Sequence, residues 1–442
     1  MIIKSPLPKN FDLRLITALL LVVSFSLGEV YRYLLVMLAI FGIFLVIRRY
    51  DSIKNVPGIR FLLLLFLCIW VPMLVALIDA EYLERSASVT GRFVIFPLAG
   101  IALLYSILRQ DLTQKLLWGT CGIVILWTID GLIQFIWGHD ILGNPAYSDG
   151  RLTGTFSNWP HVGVILAIFL PVYLEGLYQM SMKSRWSWLL ILPVLFVILL
   201  GGGRSSWVLT AIALIIYFIY FKKLGRQFSW RRSFLLAATS LVLFTVTTLN
   251  VDWLSQRVNT SLGIFSGDYK SFRLATSLRP PIWTTALNMS THHWINGVGP
   301  RAFQSSYRKY STMPDDPFLT NSAGHPHLYI LEVAAETGLI GIAGYIIFFI
   351  LVIRHMSTVM RSRYSNVIPW GIAGLVAAFP LSSTMSFYAY FSSCLMWTLF
   401  IIYIAFSMPV NRVRGSATKD GIEVEKSAEN HQHSKATREI PV

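Results

Sequence analysis

Gly324-His325-Pro326-His327-Leu328-Tyr329, followed by Leu331-Glu332-Val333-Ala334-Ala335-Glu336-Thr337-Gly338, is the junction on which the reading of this 442-residue chain turns. Before it lies a polar, aromatic segment, roughly 250–327, carrying Arg273, Arg279, Arg301, Arg308, Lys309 and a His292-His293 pair. After it the sequence becomes apolar for about 20 residues, enough to cross a bilayer core as a helix. A chain that sets one long basic loop among such runs presents that loop at a membrane surface for chemistry or recognition.

The composition agrees. Hydrophobic residues make up 55% of the chain and charged residues 13%, against about 25% charged in soluble domains. The mean hydropathy is +0.59. A formal net charge of +15 does not point to nucleic acid here, because in a membrane protein the positions of charges matter more than their sum. Cys68, Cys121 and Cys394 lie far apart in apolar runs and have neither disulfide nor metal-ligand spacing.

The expected fold is an all-α polytopic membrane protein of about twelve transmembrane helices with one large, partly helical periplasmic loop. The apolar runs are roughly 12–28, 31–47, 60–78, 92–108, 115–136, 160–180, 186–202, 204–221, 232–250, 334–353, 367–384 and 388–408. Residues 1–249 would then hold nine spans, 250–327 the loop and 328–410 three more spans. Residues 411–442 would form a polar, disordered tail. Lys4, Lys9 and Arg14 precede an apolar run without a cleavage pattern, which reads as a signal anchor. Across alternate loops, 25 of the 37 lysines and arginines fall on one side and 12 on the other. By the positive-inside rule both termini are cytoplasmic and the 250–327 loop is outside, where neither ATP nor sugar nucleotides are found.

Several residue groups could carry chemistry. Gly201-Gly202-Gly203-Arg204 combines tight turning with an arginine near a helix start, where backbone N–H groups favour anions. No Gly-Lys-Ser/Thr follows, so it is not a P-loop. Arg279-Pro280-Pro281-Ile282-Trp283 reads as a helix start with proline in its first turn. Arg151-Leu152-Thr153-Gly154-Thr155-Phe156 reads as a re-entrant or capping segment, with His161 just beyond. His325 and His327 flank a proline before a helix whose positive end disfavours imidazolium, so a neutral histidine there is a candidate base. Glu332 and Glu336 share a helix face, and carboxylates at that depth usually face the protein interior. Asp130 and Glu175 pose the same question. A metal site is not expected: Asp315-Asp316 is the sole tight outer carboxylate pair, and adjacent His292 and His293 diverge on a helix.

The chain resembles the O-antigen ligase family of lipopolysaccharide assembly, which shares a domain with some O-antigen polymerases and with bacterial protein O-oligosaccharyltransferases. The resemblance covers the many-span layout, the large late loop and a histidine-to-glycine spacing met by His327 and Gly338; Leu328 departs from the Asn/Ser/Gln of that pattern. Arg204 stands where the family has an arginine at the outer end of a mid-chain helix pair. Arg279, with Trp283 and Gly297-Val298-Gly299-Pro300, resembles the loop arginine and the turn behind it. The resemblance implies a bacterial inner-membrane enzyme that transfers glycan from undecaprenyl diphosphate to a sugar hydroxyl of lipid A–core on the periplasmic side, with no cofactor. Arg204 and Arg279 would clamp the diphosphate and His327 would take the hydroxyl proton. Arg151, Arg301, His325, Glu332 and Glu336 would bind substrate. A single displacement would invert the anomeric centre. Trp283, Trp294, Tyr307 and Tyr310 are candidates for stacking on sugars. An O-antigen polymerase or protein oligosaccharyltransferase would use the same donor. A transporter, with Gly201–Gly203 as a broken helix, is the reading from another class, but its polar groups should sit at the bilayer midplane.

Overall fold

The computed structural model describes residues 12–107, 112–156, 161–227, 230–362 and 365–408. The expected tail at 411–442, with His431 and His433, and the basic residues Lys4 and Lys9 lie outside them. Among the described residues there is no β-strand, and the isolated bridge between His139 and Pro145 is the nearest approach to one.

Each apolar run meets a helix, because a lipid-embedded backbone must satisfy its own hydrogen bonds. Seven helices are long and apolar enough to span: Val30–Arg48, Leu83–Ser106, Leu112–Trp137, Val162–Ser181, Arg204–Lys223, Tyr329–Met360 and Tyr390–Ser407. An eighth is reached if Phe234–Asn250 and Asp252–Phe265, bent by 108°, count as one broken span. Leu13–Ser24, Ile59–Val75, Trp186–Leu200 and Ser365–Ala377 are shorter apolar helices. Helix length thus supports seven or eight spans where the apolar runs suggest about twelve. The run at 367–384 shows why. Its helix stops at Ala377, ahead of Pro380, which disfavours helical backbone before it. The remainder, through Ala389, is an irregular segment.

Val162–Ser181 and Tyr390–Ser407 are the central helices, each 89% buried, whereas Val30–Arg48 is 28% buried. On that outer helix Tyr33, Met37, Ile40, Phe44 and Ile47 are exposed. Such an apolar face is costly in water and matches lipid chains. At one end of the bundle Arg226 donates twice to the buried Glu175 carboxylate, at 2.8 and 3.1 Å, with Tyr217 joining at 3.2 Å. Asp130 accepts from the amides of Ile141 and Thr155 at 2.9 and 2.8 Å. Both carboxylates brace structure.

The 250–327 segment is partly helical, with Asp252–Leu262, Tyr269–Ala275, Pro280–His292 and Phe303–Tyr310. Ile282, Ala286, Met289, Val298, Phe303 and Tyr307 form a small core that packs against Ala335 of the Tyr329–Met360 helix. Asp316 accepts from Tyr307 Oη at 2.8 Å and the Phe318 amide at 2.9 Å. The Asp316 carboxylate is thus engaged in folding the loop, and Asp315 accepts from Arg273 through its main-chain oxygen at 3.1 Å.

That helix is broken at Gly338, whose φ of 61° and ψ of −156° belong to a region open essentially to glycine alone. The turn before Gly299 fills the break. Val298 and Gly299 donate to the Ala335 and Glu336 carbonyls at 2.9 and 3.0 Å, while Leu339 and Ile340 donate to Trp294 and Ile295 at 2.8 and 3.1 Å. The backbone groups freed by the break are therefore satisfied by the loop. A Cβ on Gly338 would lie 2.4 Å from the Ile295 carbonyl, and one on Gly297 2.3 Å from the carbonyl carbon of Glu336. Two glycines let two backbones touch, and the contact fixes the loop to the helix.

Candidate active site

Ser383, in the irregular 378–389 segment, is the point on which three parts of the chain converge. Its Oγ accepts from Arg279 at 3.1 Å, its carbonyl oxygen lies 2.9 Å from His327 Nδ1, and its amide donates to Ser205 Oγ at 3.3 Å. Arg204 precedes that serine and donates from Nε to Ser261 at 2.7 Å and from Nη1 to Ser277 at 2.5 Å. The structure thus gathers Arg204, Arg279 and His327.

The backbone around them is strained. Among the described residues, the non-glycine positive-φ positions are Ser277 (58°), Leu278 (59°), Arg301 (61°) and His327 (55°). Ser277 and Leu278 lead into Arg279, and the other two are themselves site residues. Such outliers persist where surrounding contacts hold them, and they cluster at functional sites.

The protonation of the histidines follows from their partners. A carbonyl oxygen accepts only, so His327 Nδ1 carries a proton and Nε2 of the neutral ring keeps a free lone pair. The His327 amide donates to His325 Nδ1 at 3.2 Å, so His325 bears its neutral-state proton on Nε2. Burial, then the charge of Arg279, lowers the His327 pKa to about 4, with the Ser383 hydrogen bond pulling the other way. Burial and the charges of His327, Arg301 and Arg279 push His325 well below its usual value. Both rings, 4.0 Å apart, are neutral at neutral pH.

Positive charge surrounds them. Arg257, which sequence reasoning missed, lies close enough to Arg151, Arg204 and Arg279 for their charges to interact, and its buried Nε has no partner among the described residues. Burial and Arg257 lower the Arg279 pKa. The 151–156 segment caps the Leu112–Trp137 helix: Thr153 and Gly154 donate to Gln134 Oε1 at 2.8 and 2.9 Å. Arg151 is thereby laid against Gly202, where a Cβ would sit 2.5 Å from its stem. Its Nε pairs with Asp149 at 2.8 Å. The Gly201–Gly203 stretch joins two helices, Ile191–Leu200 and Arg204–Lys223.

Arg301, Glu332 and Glu336 lie behind the histidines. Glu336 accepts from the amides of Arg301 and Phe303 at 2.6 and 3.3 Å. Glu332 accepts from Ser386 Oγ and from the Phe387 and Tyr388 amides, the last two at 2.9 and 3.4 Å. Both carboxylates are fully buried and anchor backbone on either side of the site. Ser383, Ser386 and Arg257 had no motif to announce them; Pro380 and the serines after it, inside an apolar run, were the available signal. Tyr307 and Tyr310 are buried, while Trp294 is exposed. No group of three or more potential metal-ligating side chains occurs among the described residues.

A family model described as O-antigen ligase matches residues 188–346. The match bears out the resemblance read from the sequence and takes in Arg204, Arg257, Arg279, Arg301 and both histidines. Arg151 and Ser383 lie outside it. Members of that family are glycosyltransferase-like enzymes. No curated protein matches the chain.

Proposed function

We propose that this protein is an O-antigen ligase: a metal-independent, inverting glycosyltransferase that moves a glycan from undecaprenyl diphosphate to a sugar hydroxyl of lipid A–core at the periplasmic face of the inner membrane. The observation that carries the reading is the His327 tautomer. With Nδ1 held by Ser383 and Arg279 on the same serine, Nε2 keeps a free lone pair within reach of the Arg279 charge.

In this reaction Arg204 and Arg279 bind the diphosphate, since guanidinium forks match phosphate oxygens. His327 Nε2 takes the proton of the acceptor hydroxyl as its oxygen attacks the anomeric carbon. The bond from that carbon to the phosphate oxygen breaks, the electron pair leaves with the lipid diphosphate, and the arginines stabilise the charge that develops there. The donor bond is already activated, so the step needs no nucleotide. The charge asymmetry of the loops would then place both termini in the cytoplasm.

The test is to combine purified protein, undecaprenyl-diphosphate-linked glycan and rough lipopolysaccharide and follow a ladder of glycosylated lipid on a gel. A ladder that depends on all three supports the reading. Extension of the lipid-linked glycan without rough lipopolysaccharide would make the enzyme a polymerase instead.

A further inference from the structure

A basic cavity of about 310 Å³, whose lining does not include Ser383, is formed by residues that include Arg32, Arg85, Arg92, Arg301, Tyr388 and Tyr390. Arg32 pairs with Glu29 and lies over the Tyr390 ring at 5.6 Å. Arg85 donates to Ser305 Oγ at 3.1 Å and Arg92 to the Ser88 carbonyl at 3.1 Å. Among the described residues no carboxylate lies within ion-pair distance of Arg85, Arg92 or Arg301. The carboxylates whose charges reach Arg301, Glu332 and Glu336, are engaged by backbone amides. Four guanidiniums thus face one space with a single paired carboxylate, which concentrates positive potential there.

Two placements say what such a cavity is for. Arg32, Arg85 and Tyr390 stand in the first turns of the spans Val30–Arg48, Leu83–Ser106 and Tyr390–Ser407, so the cavity opens at the end of membrane helices, where a lipid headgroup lies. Arg301 joins it to the histidine pair: its charge acts on His325, whose ring is 4.0 Å from that of His327. An inverting displacement requires the hydroxyl to approach opposite the leaving diphosphate, so charges that hold the acceptor belong away from Arg204 and Arg279.

We propose that this cavity binds a phosphate carried on the saccharide headgroup of the acceptor glycolipid, and so orients the acceptor hydroxyl toward His327. This rests on the transfer reaction proposed above. Phospholipid and free phosphate share the recognised chemistry, so the test separates them.

Binding is measured with full-length protein in nanodiscs, using rough lipopolysaccharide, the same material enzymatically dephosphorylated, phosphatidylglycerol, inorganic phosphate and undecaprenyl diphosphate. The wild type is expected to bind the phosphorylated glycolipid at least about tenfold more tightly than the dephosphorylated form, the size of one charge-assisted contact. Arg85→Gln/Arg92→Gln should abolish that difference and leave undecaprenyl diphosphate affinity within about twofold. Equal wild-type affinity for the two glycolipids overturns the proposal, as does loss of donor binding in the double variant, or equal competition by phosphatidylglycerol or inorganic phosphate. The wild-type comparison stands even if the variant misfolds. A phosphate preference without any glycan transfer would instead overturn the proposed reaction and leave the binding site in place.

Discussion

His327 Nδ1 lies 2.9 Å from the main-chain oxygen of Ser383, while Arg279 bonds the Oγ of that same serine. One residue therefore orients a candidate base through its backbone and a candidate phosphate ligand through its side chain. The two roles are separable, because an alanine at 383 keeps the carbonyl and loses the hydroxyl.

Ser383→Ala should accordingly raise the donor KM by about tenfold, one hydrogen bond to a charged partner, with kcat little changed. His327→Ala should lower kcat by about 10²–10⁴-fold, the usual contribution of a positioned base, with donor binding retained. Initial rates against donor concentration measure both. A kcat collapse in Ser383→Ala would assign the hydroxyl a chemical part.

The acid limb of the pH profile gives a second check. His327 acts as base only when unprotonated, so activity is present at neutral pH and is lost as pH falls through its pKa. In the free enzyme that pKa is about 4, and kcat/KM should hold down to that region. Bound diphosphate offsets the Arg279 charge, one cause of the lowering, so the limb in kcat should lie at higher pH than in kcat/KM. Arg279→Gln should move the kcat/KM limb upward as well. Coincident limbs in wild type and variant would argue that His327 is not the titrating base.

The arginines should differ from surface charge. Arg204 and Arg279 are held by serine hydroxyls, whereas Arg308 is exposed and donates to the Thr320 carbonyl. Arg204→Ala and Arg279→Ala should each reduce transfer by about 100-fold or more. Lysine should restore it only in part, for want of the planar fork. Arg308→Ala should stay close to wild type. Comparable mild losses at all three would remove the diphosphate clamp.

Much of this was legible because lipid forces apolar runs into helices and because arginine at a helix start and histidine beside a proline are local signals. The helix positions could be read that way, whereas the grouping of Arg204, Arg279 and His327 came from the family resemblance. The 378–389 segment could not, since Ser382 and Ser383 lie in a run whose hydropathy resembles a span and Ser386 falls in the short gap before the next. Nor could Glu332 and Glu336 be resolved: i, i+4 spacing gives a shared face, but their partners, the amides of 301–303 and 387–388, are set by tertiary folding. Arg257 had no neighbour in sequence to mark it.

Topology is tested by single cysteines in spheroplasts. Those at Ser305 and Asp315 should react with an impermeant thiol reagent, and one at Gly225 should not, as the charge asymmetry requires. Labelling at Gly225 would invert the chain and remove the periplasmic reaction.

The last prediction separates the two ends of the His327–Gly338 spacing. His327 is a chemical residue by the argument above, whereas Gly338 carries no side chain and sits where the loop enters the broken helix. Alanine there meets two costs. The backbone conformation, φ 61° and ψ −156°, is closed to an L side chain, and the new Cβ would lie 2.4 Å from Ile295 backbone atoms. Backbone cannot yield as a flexible side chain can, so strain and overpacking together should cost roughly 2–4 kcal/mol. Gly338→Ala should therefore unfold at lower temperature in detergent and lose donor binding along with transfer, because the 294–299 turn holds the loop that carries Arg279 and Arg301. His327→Ala should unfold at the wild-type temperature and still bind donor. Should Gly338→Ala keep wild-type stability and donor affinity while losing only turnover, the glycine would belong to the chemistry and not to the crossing of the two backbones.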